Sequence, residues 1–338
     1  MLLLIKKPSE NKAGKGSFVL AGDIGATKIN LALYKAEKDV LIPLQEGNYK
    51  SGNYNNITEI ADSFIKRLPF PDVVCFGAAG PVLNGRVTLS NINWTIDSTE
   101  LSQHFKKDVH VINDLKATAY GLAVLTEKDT ALIHNPSDSI AGNAALIAPG
   151  TGLGEAGLYW DGEHYHPFAA EGGHCDFAPR DYFDFELYTF LQKKFGHVSW
   201  ERLVSGRGIV NIYEFLRDEK KREEENWLKE KFVKDIEPAV ISQSCEKSRI
   251  CNETMHLFIR FLAHESANLV LKNNAVGGLF IGGGIAPQIV HLFEKYDFFK
   301  LYCQSGRLNN LLEKVPISII LEPKAALLGA AWYGSNLL

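Results

Sequence analysis

The chain has 338 residues, 46% of them hydrophobic, and carries a formal net charge of −4 at pH 7. Its length favours two domains with sizeable cores, at about 100–200 residues per domain, and its slightly acidic balance argues against a nucleic-acid or anionic-membrane surface, which needs a basic stripe. The five cysteines are scattered, odd in number and form no Cys-x-x-Cys pair, so a reducing, cytoplasmic compartment fits better than a disulfide framework.

The N-terminal residues do not resemble a targeting signal. The apolar run over residues 1–5 is shorter than the apolar region of a signal peptide, and Lys6 and Lys7 follow it instead of preceding it. No apolar run approaches the roughly 20 residues that a membrane-spanning helix needs. We expect residues 1–16 to form a flexible lead-in.

The first part of the chain predicts a hairpin followed by alternating helices and strands. Residues 18–23 and 29–34 are strand-like and flank a Gly/Thr turn, which is typical of a hairpin. The remaining spacing predicts a helix over 56–68, a strand over 72–77, a helix over 96–105 capped by Asp97 or Ser98, and a buried strand over 109–113.

A second block repeats the first in outline, with a strand over 144–149, a glycine-rich turn over 150–154 and a returning strand over 155–160. Two such turns offer backbone N–H groups at close approach and can hold one phosphate chain from two sides. The rest of the pattern predicts helices over 183–195, 209–216, 255–271 and 325–332, strands over 278–281 and 316–321, and a solvated charged stretch over 217–235.

Asn113 and Asp114 stand where the buried strand over 109–113 gives way to a helix-forming segment over 116–124. In open α/β sheets, ligands bind beyond the carboxyl ends of the strands, so Asp114 can accept a proton from a bound hydroxyl group. Aspartate is also a favoured helix N-cap. The residues around Asp114 leave both interpretations open.

Three turns are candidates for nucleotide binding. Asp23, with Gly25 and Thr27, suits a phosphate loop and a Mg²⁺ ion held through water, although Asp and Gly are also common in ordinary hairpin turns. Thr151 and Gly152 lie in a turn that matches neither a P-loop nor a dinucleotide fingerprint. Gly283 and Gly284 follow a strand and suit close approach to adenine, or simply a tight turn.

The polar residues Glu171, His174 and Glu201 stand in apolar or glycine-rich surroundings. Converging carboxylates and an imidazole can hydrogen-bond several sugar hydroxyls, and the alternative is that each is an ordinary surface residue. A metal cluster is not indicated, since the spacing of the nearby residues matches no standard zinc pattern; these are His164, His166, His174, Cys175 and Asp176.

Together these motifs resemble bacterial glucokinases of the ATP-dependent, non-zinc group, within the actin-like ATPase superfamily. The resemblance runs from about residue 18 to the end of the chain. The motifs that carry it are Gly22-Asp23-Ile24-Gly25-Ala26-Thr27, Ala79-Gly80-Pro81-Val82, Ser90-Asn91-x-x-Trp94, Ile112-Asn113-Asp114, Gly150-Thr151-Gly152-Leu153-Gly154, Glu171-Gly172-Gly173-His174, His197-Val198-Ser199-x-Glu201-Arg202, Ser205-Gly206-x-Gly208, Gly278-x-Phe280-Ile281-x-Gly283-Gly284 and Leu327-Leu328-Gly329.

The resemblance implies a two-domain actin-like ATPase (ribonuclease H-like) α/β fold with the active site in the interdomain cleft. The small domain is expected over 17–113 plus 323–338 and the large domain over 114–322. It also implies a cytoplasmic homodimer that phosphorylates the 6-hydroxyl of glucose with ATP and Mg²⁺. The implied site has Asp114 as base, glucose held by Asn113, Glu171, His174 and Glu201, phosphates and Mg²⁺ at Asp23, Gly25, Thr27, Thr151 and Gly152, and adenosine at Gly283 and Gly284.

Two residues depart from the family pattern in the first loop: Ala26 replaces a glycine and Lys28 replaces an asparagine. Ala26 fits only if that position does not require a positive φ, so donor preference is open. A kinase for mannose or fructose is an alternative within the enzyme class. A non-catalytic sugar-sensing protein on the same fold is another, although only about 17 residues precede the first strand.

Overall fold

A computed structural model describes residues 4–7, 16–25, 27–37, 40–89, 92–232 and 235–338. The chain forms two compact units, one comprising Met1–Asp129, Leu158–Ala169 and Glu322–Leu338, the other Thr130–Gly157 and Ala170–Leu321. Ala26, the Ser90-Asn91 pair and most of the predicted lead-in lie outside the described residues. Within that lead-in, Ile5 is buried and forms a β-bridge with Tyr165, a contact that the sequence did not predict.

The fold is mixed α/β, as predicted. The strands are β1 (Ser17–Ile24), β2 (Lys28–Glu37), β3 (Val40–Lys50), β4 (Val73–Ala78), β5 (Arg86–Leu89), β6 (Trp94–Asp97), β7 (Asp108–Asn113), β8 (Thr130–His134), β9 (Ala144–Pro149), β10 (Leu153–Trp160), β11 (Tyr165–Ala170), β12 (Gly278–Ile281) and β13 (Ile317–Ile320). The helices are α1 (Ile57–Ile65), α2 (Ser98–Phe105), α3 (Asp114–Gly121), α4 (Tyr182–Phe195), α5 (Gly206–Asp218), α6 (Asn226–Lys231), α7 (Pro238–Ser244), α8 (Arg249–Asn273), α9 (Val290–Lys295), α10 (Phe298–Tyr302), α11 (Asn309–Leu312) and α12 (Ala325–Ser335).

The first unit is built on a sheet with strand order β3-β2-β1-β4-β7. β1, β2 and β3 form an antiparallel meander, whereas β1, β4 and β7 run parallel. Every residue of β4 is buried, as expected for a central strand whose two faces are both covered. Apolar residues of α1 and α2 pack in one core cluster with β1, β2 and β4.

Helix α12 covers β1 and β4 and packs closely on α3. A Cβ atom at Gly334 would lie 3.1 Å from both Cys75 Cβ and Val19 Cγ1. A Cβ at Gly121 would lie 3.1 Å from the carbonyl carbon of Ala325, and one at Gly329 would lie 2.7 Å from that of Ala117. Because both helices carry glycine at the crossing, their backbones touch, and α3 belongs to the first unit although the predicted domain boundary precedes it.

The second unit contains β8, β9, β12 and β13 of a six-stranded sheet whose strand order is β11-β10-β9-β12-β13-β8. β12 is parallel to β9 and β13, and β8 joins the edge antiparallel to β13. The 25-residue helix α8 packs in the main core of this unit. We predicted an amphipathic helix here, but α8 is buried on most sides and even its His264 and Glu265 are buried.

Most predicted helices and strands are present, with ends that differ by a few residues. Asp97 is the N-cap of α2, as predicted, and accepts hydrogen bonds from the backbone of Thr99 and Glu100. The charged stretch over 217–235 contains the short helix α6, whose Leu228 is buried. Within the described ranges, no helix combines the length and apolar character needed to cross a membrane.

Candidate active site

Three parallel strands of the first unit end at one edge of the sheet, and the predicted residues of this unit stand there. Asp23 pairs with Gly77, and Ala78 pairs with both Ile24 and Asn113. The carboxyl ends of β1, β4 and β7 are therefore level, and Asp114 follows directly after β7. This is the edge at which open α/β sheets bind ligands.

Asp23 is fixed by side chains of the neighbouring strands. Its Oδ2 accepts a hydrogen bond from Asn30 Nδ2 at 3.0 Å, and Asn30 Oδ1 accepts one from Asn48 Nδ2 at 2.5 Å. Burial raises the pKa of the Asp23 carboxyl, while the Asn30 hydrogen bond and the charge of Lys28 oppose that rise. Neighbouring polar groups thus hold a single carboxylate in place beside the β1–β2 turn.

The β1–β2 turn is tight, since the Gly25 N–H donates to the Lys28 carbonyl at 3.0 Å. Thr27 is exposed, and its carbonyl accepts a hydrogen bond from the Ser51 N–H at 3.3 Å. Among the residues that the structure describes, no group of three or more His, Cys, Asp or Glu side chains is arranged to ligate a metal. A water-mediated ion at Asp23 stays a prediction.

The N-cap of α3 is Asn113, one residue before the predicted cap at Asp114. Asn113 Oδ1 accepts from the N–H groups of Leu115 and Lys116 at 2.9 and 3.0 Å, and its Nδ2 donates to the Gly80 carbonyl at 3.1 Å. The cap falls here because Asn113 has extended backbone angles (φ −64°, ψ 145°), as N-cap residues do. Asn113, which is 7% exposed, therefore anchors the corner that presents Asp114.

Asp114 is the first residue of α3 and is partly buried. Its Oδ1 accepts a hydrogen bond from the Leu115 N–H at 2.8 Å, and its carbonyl accepts one from Thr118 Oγ1 at 2.9 Å. A Cβ at Gly77 would lie 2.9 Å from Ala117 Cβ and 3.7 Å from Asp114 Cα. Glycine at position 77 therefore lets α3 begin directly beside the ends of β1 and β4.

In the second unit, Glu201 lies against the glycine-rich turn over 150–154. Its Oε2 accepts a hydrogen bond from the Leu153 N–H at 3.1 Å. A Cβ at Gly152 would lie 3.3 Å from Glu201 Cδ and even closer to Oε2. The turn itself closes through a bond from the Gly150 N–H to the Gly152 carbonyl at 2.8 Å. The structure thus brings Thr151, Gly152 and Glu201 together.

Helix α5 begins at the same turn. Ser205 caps it, since Ser205 Oγ accepts from the Gly208 N–H at 3.0 Å and donates to the Glu201 carbonyl at 2.7 Å. The Gly206 N–H donates to the Gly150 carbonyl at 2.9 Å. The amino end of a 13-residue helix, with its partial positive charge, therefore adjoins the glycine-rich turn. This capping role of Ser205 was not predicted from the sequence.

The segment over residues 171–174, which carries Glu171 and His174, forms a short 3₁₀ turn in which both side chains are exposed. It leads into a paired stretch: the Phe177 N–H donates to the Val198 carbonyl at 2.9 Å, and the Trp200 N–H donates to the Cys175 carbonyl at 3.0 Å. Because Glu201 follows Trp200, this pairing ties the 171–174 segment to Glu201.

Two histidines near this segment each pair with one aspartate. His166 Nε2 pairs with Asp161 Oδ2 at 2.6 Å, and Asp176 Oδ1 pairs with His197 Nε2 at 2.8 Å. Cys175 is an exposed free thiol.

Gly283 and Gly284 form the turn after β12, and only Gly283 requires glycine for its conformation. Its φ is +76°, and a Cβ there would lie 2.9 Å from the carbonyl carbons of Ala148 and Pro149. A Cβ at Gly284 would meet no atom within 4 Å. The Ile285 N–H donates to the Pro149 carbonyl at 3.2 Å, so this turn lies beside the glycine-rich turn over 150–154.

A cleft of about 1210 Å³ opens over both glycine turns, within the second unit. Its lining includes Gly150, Thr151, Gly206, Arg207, Gly284 and Ile285. Residues of α7 and residues in and next to α9 also line the cleft. It is large enough for a nucleotide, since small-molecule sites commonly measure about 300–1,000 Å³. Arg207 at this cleft was not predicted, and no local sequence pattern distinguishes it from a surface arginine.

A family model described as Glucokinase matches residues 20–337. The glucokinase of Trichormus variabilis is 36% identical over 341 residues, which span 95% of this chain and 100% of that protein. The glucokinase of Synechocystis sp. is 34% identical, over 92% of this chain and 96% of that protein.

Solved structures of glucokinases are similar over nearly the whole chain. That of an enzyme from an Antarctic psychrotroph has a TM-score of 0.81 at 27% identity, covering 95% of this chain and 99% of that one. A glucokinase from Balamuthia mandrillaris in complex with glucose gives 0.80 at 20% identity, covering 95% and 94%. A ROK family glucokinase from Streptomyces griseus in complex with glucose and AMPPNP gives 0.63 at 20% identity, covering 93% and 98%. The fold is that of the actin-like sugar kinases, as predicted.

Proposed function

The chain belongs to the glucokinase family of ATP-dependent sugar kinases, and from this premise we propose that it transfers the γ-phosphoryl group of ATP to the 6-hydroxyl of glucose. The products are glucose 6-phosphate and ADP. The observation that carries the proposal is the arrangement in the second unit, where Glu201 contacts the glycine-rich turn. Backbone hydrogen bonds of the preceding residues, Val198 and Trp200, tie Glu201 to the segment that carries Glu171 and His174. The groups proposed to bind the sugar hydroxyls thus lie beside the glycine-rich turn proposed to bind phosphate.

Asp114 is the proposed general base. Its Oδ1 accepts a hydrogen bond from the Leu115 N–H, which holds the carboxylate in place. A carboxylate held in this way can accept the proton of the 6-hydroxyl group as the hydroxyl oxygen attacks the γ-phosphorus. In the proposed mechanism Asn113 also holds a sugar hydroxyl, and its cap bonds support the start of α3. Glu171, His174 and Glu201 hold the remaining hydroxyls in the proposed mechanism.

The cleft over the two glycine turns is the proposed donor site. Thr151 and Gly152, together with the amino end of α5, offer N–H groups to the phosphates. Gly283 and Gly284 allow the backbone to approach the adenosine, and Gly284 leaves open space in the cleft. Phosphoryl transfer needs positioning and charge stabilisation more than covalent chemistry, which fits a site made of turns and one carboxylate.

Mg²⁺ is expected with the nucleotide, and Asp23, Gly25 and Thr27 make up its proposed loop. Mg²⁺ usually binds proteins through one or two carboxylates and keeps several water ligands. Asp23 fits this preference, because its carboxyl group is held in place beside a tight turn. When bound, Mg²⁺ would neutralise charge on the β- and γ-phosphates.

We also propose that the protein is a cytoplasmic homodimer. All five cysteines are free, with Cys75, Cys245 and Cys251 buried, which suits a reducing compartment. Sedimentation velocity on the purified chain tests the dimer, since a monomer at micromolar concentration would contradict it.

The test of the proposed function is an ADP-release assay on a panel of glucose, mannose and fructose, with ATP and other nucleoside triphosphates as donors. The Asp114→Asn variant is the blank. We expect glucose to give the highest kcat/KM with ATP. A higher kcat/KM for mannose or fructose would show that this hexose, and not glucose, is the preferred substrate. The absence of ADP release with every hexose tested would refute the kinase assignment.

A further inference from the structure

Glu155 is an acidic residue in the middle of an otherwise apolar part of β10. It is 1% exposed. It follows the glycine-rich turn directly, two residues after Leu153, whose N–H is bound by Glu201. None of the proposed catalytic steps uses this side chain. A carboxyl group so placed is costly to bury unless it is neutral or paired.

The Glu155 carboxyl group lies directly beneath Gly172, in the middle of the 171–174 segment. A Cβ at Gly172 would lie 2.7 Å from Glu155 Cδ and still closer to Oε2. A Cβ at Gly173 would lie 3.0 Å from the carbonyl carbon of Leu153. Both glycines therefore let the segment rest on β10, and the Glu155 carboxyl group forms the surface on which Gly172 packs.

A second buried carboxyl group, that of Glu265 on α8, faces Glu155 and is 0% exposed. Lys272 Nζ contacts Glu265 Oε1 at 2.9 Å, and Asn268 Nδ2 donates to Glu265 Oε2 at 2.8 Å. Glu155 Oε1 has no hydrogen-bond partner among the described residues. Lys272 and Asn268 thus both hydrogen-bond Glu265, whereas Lys272 acts on Glu155 through its charge alone.

The ionisation of the pair follows from this arrangement. Burial, and then the charge of Glu265, raises the pKa of Glu155 to about 8, with Lys272 opposing the rise. Burial also raises the pKa of Glu265, against the hydrogen bonds from Asn268 and Lys272. Two further groups act on this cluster among the described residues: Arg180 interacts with Glu265, and Cys175 interacts with Lys272. One proton is therefore shared by two carboxyl groups near neutral pH.

We propose that Glu155 is a positioning residue for the proposed sugar-binding segment, held beneath Gly172 as a neutral acid that donates its proton to Glu265. This inference rests on the proposed function. When Glu155 loses its proton, two buried carboxylates lie close together with only Lys272 to balance their charge. The repulsion between the two carboxylates shifts the Glu155 side chain, on which Gly172 packs. Glu171 and His174 flank the Gly172-Gly173 pair, so sugar binding weakens in alkaline solution, while the rate of phosphoryl transfer to the bound sugar changes less.

The test measures kcat and the KM for glucose from about pH 6 to about pH 9.5 in the native protein and in Glu155→Gln, which keeps the shape of the neutral acid. The native KM is expected to rise above about pH 8, by up to ~10-fold per pH unit, whereas that of Glu155→Gln stays flat. Glu265→Gln, which removes the repulsion, should also lose the rise. The exposed Glu230→Gln is the matched control and should keep the native profile. A parallel rise in the native protein and Glu155→Gln would overturn the proposal.

Equilibrium unfolding separates this proposal from the proposed function. Between about pH 4.5 and about pH 8 the unfolded chain has lost the Glu155 proton and the folded chain has kept it, so native stability falls as the pH rises through this window. Glu155→Gln should lack that fall. If the native protein releases no ADP with glucose at pH 7, the proposed function fails on its own. If both proteins lose stability in parallel, the shared proton is refuted whatever the activity.

Discussion

Gly283 and Gly284 offer a matched pair of substitutions, because they are adjacent in one turn but differ in the space around them. Gly283 has a φ of +76°, and a Cβ atom added there would clash with the backbone of Ala148 and Pro149. A Cβ atom added at Gly284 would meet open space. The prediction is that Gly283→Ala destabilises the second unit and that Gly284→Ala does not.

The magnitude for Gly283→Ala has two parts. Placing an L residue in the left-handed region costs about 1–2 kcal/mol. The new methyl group would lie 2.9 Å from two backbone carbonyl carbons, and such overpacking costs about 1–3 kcal/mol more. The free energy of unfolding should therefore fall by roughly 2–5 kcal/mol. For Gly284→Ala, where neither term applies, a change within about 0.5 kcal/mol is expected.

The assay is equilibrium unfolding in urea, followed by tryptophan fluorescence, because Trp200 is buried in the core of the second unit. The KM for ATP is measured on the same samples. Since Gly284 lines the cleft, Gly284→Ala should raise the KM for ATP while leaving the urea midpoint unchanged. Equal midpoints for the two variants would refute the strain argument, and an unchanged KM for ATP in Gly284→Ala would remove the cleft as donor site.

Three further predictions concern the other parts of the site. Asp114→Asn should lower kcat by about 10²–10⁴-fold, the usual contribution of a general base, with little change in the KM for glucose; near-native turnover would remove the base assignment. Glu171→Gln and His174→Ala should each raise the KM for glucose by about 10–100-fold, as expected for a lost hydrogen bond to a charged group, and an unchanged KM in both would take them out of the site. Asn113→Ala should lower the stability of the first unit by about 1–2 kcal/mol through the lost cap, whereas Asn113→Asp keeps the acceptor oxygens; identical urea midpoints for Asn113→Ala and the native protein would contradict this role.

Much of the fold could be predicted because its strands and helices have clear apolar periodicity. The exception among the long strands is β3, whose residues over 40–50 are largely exposed. It is an edge strand held by pairing with β2, so its sequence carries little apolar signal. The cap of α3 was assigned one residue too late because the two polar residues at the corner both suit a cap, and only the backbone angles of Asn113 decide between them.

The sequence motifs proposed the candidate site one residue at a time, and these assignments stay predictions; the contacts among the residues were not predicted. Glu201 is separated by 48 residues from the Leu153 N–H that it binds, and no local pattern encodes such a contact. Glu155 was missed for the same reason: residues 155–158 of β10 are all buried, and the partner of Glu155, Glu265, lies on a distant helix. Sequence motifs identify the chemical groups, while long-range packing decides which of them meet.

The packing of α12 on α3, β1 and β4 has a consequence for the order in which the protein is made. The strands of the first unit are synthesised early, but α12, which closes over Val19, Val73 and Cys75, comes from the last residues of the chain. Domains fold largely as their residues leave the ribosome. The face of β1 and β4 that α12 covers therefore stays exposed until residues 322–338 have emerged. By then, all the residues that form the second unit have been synthesised.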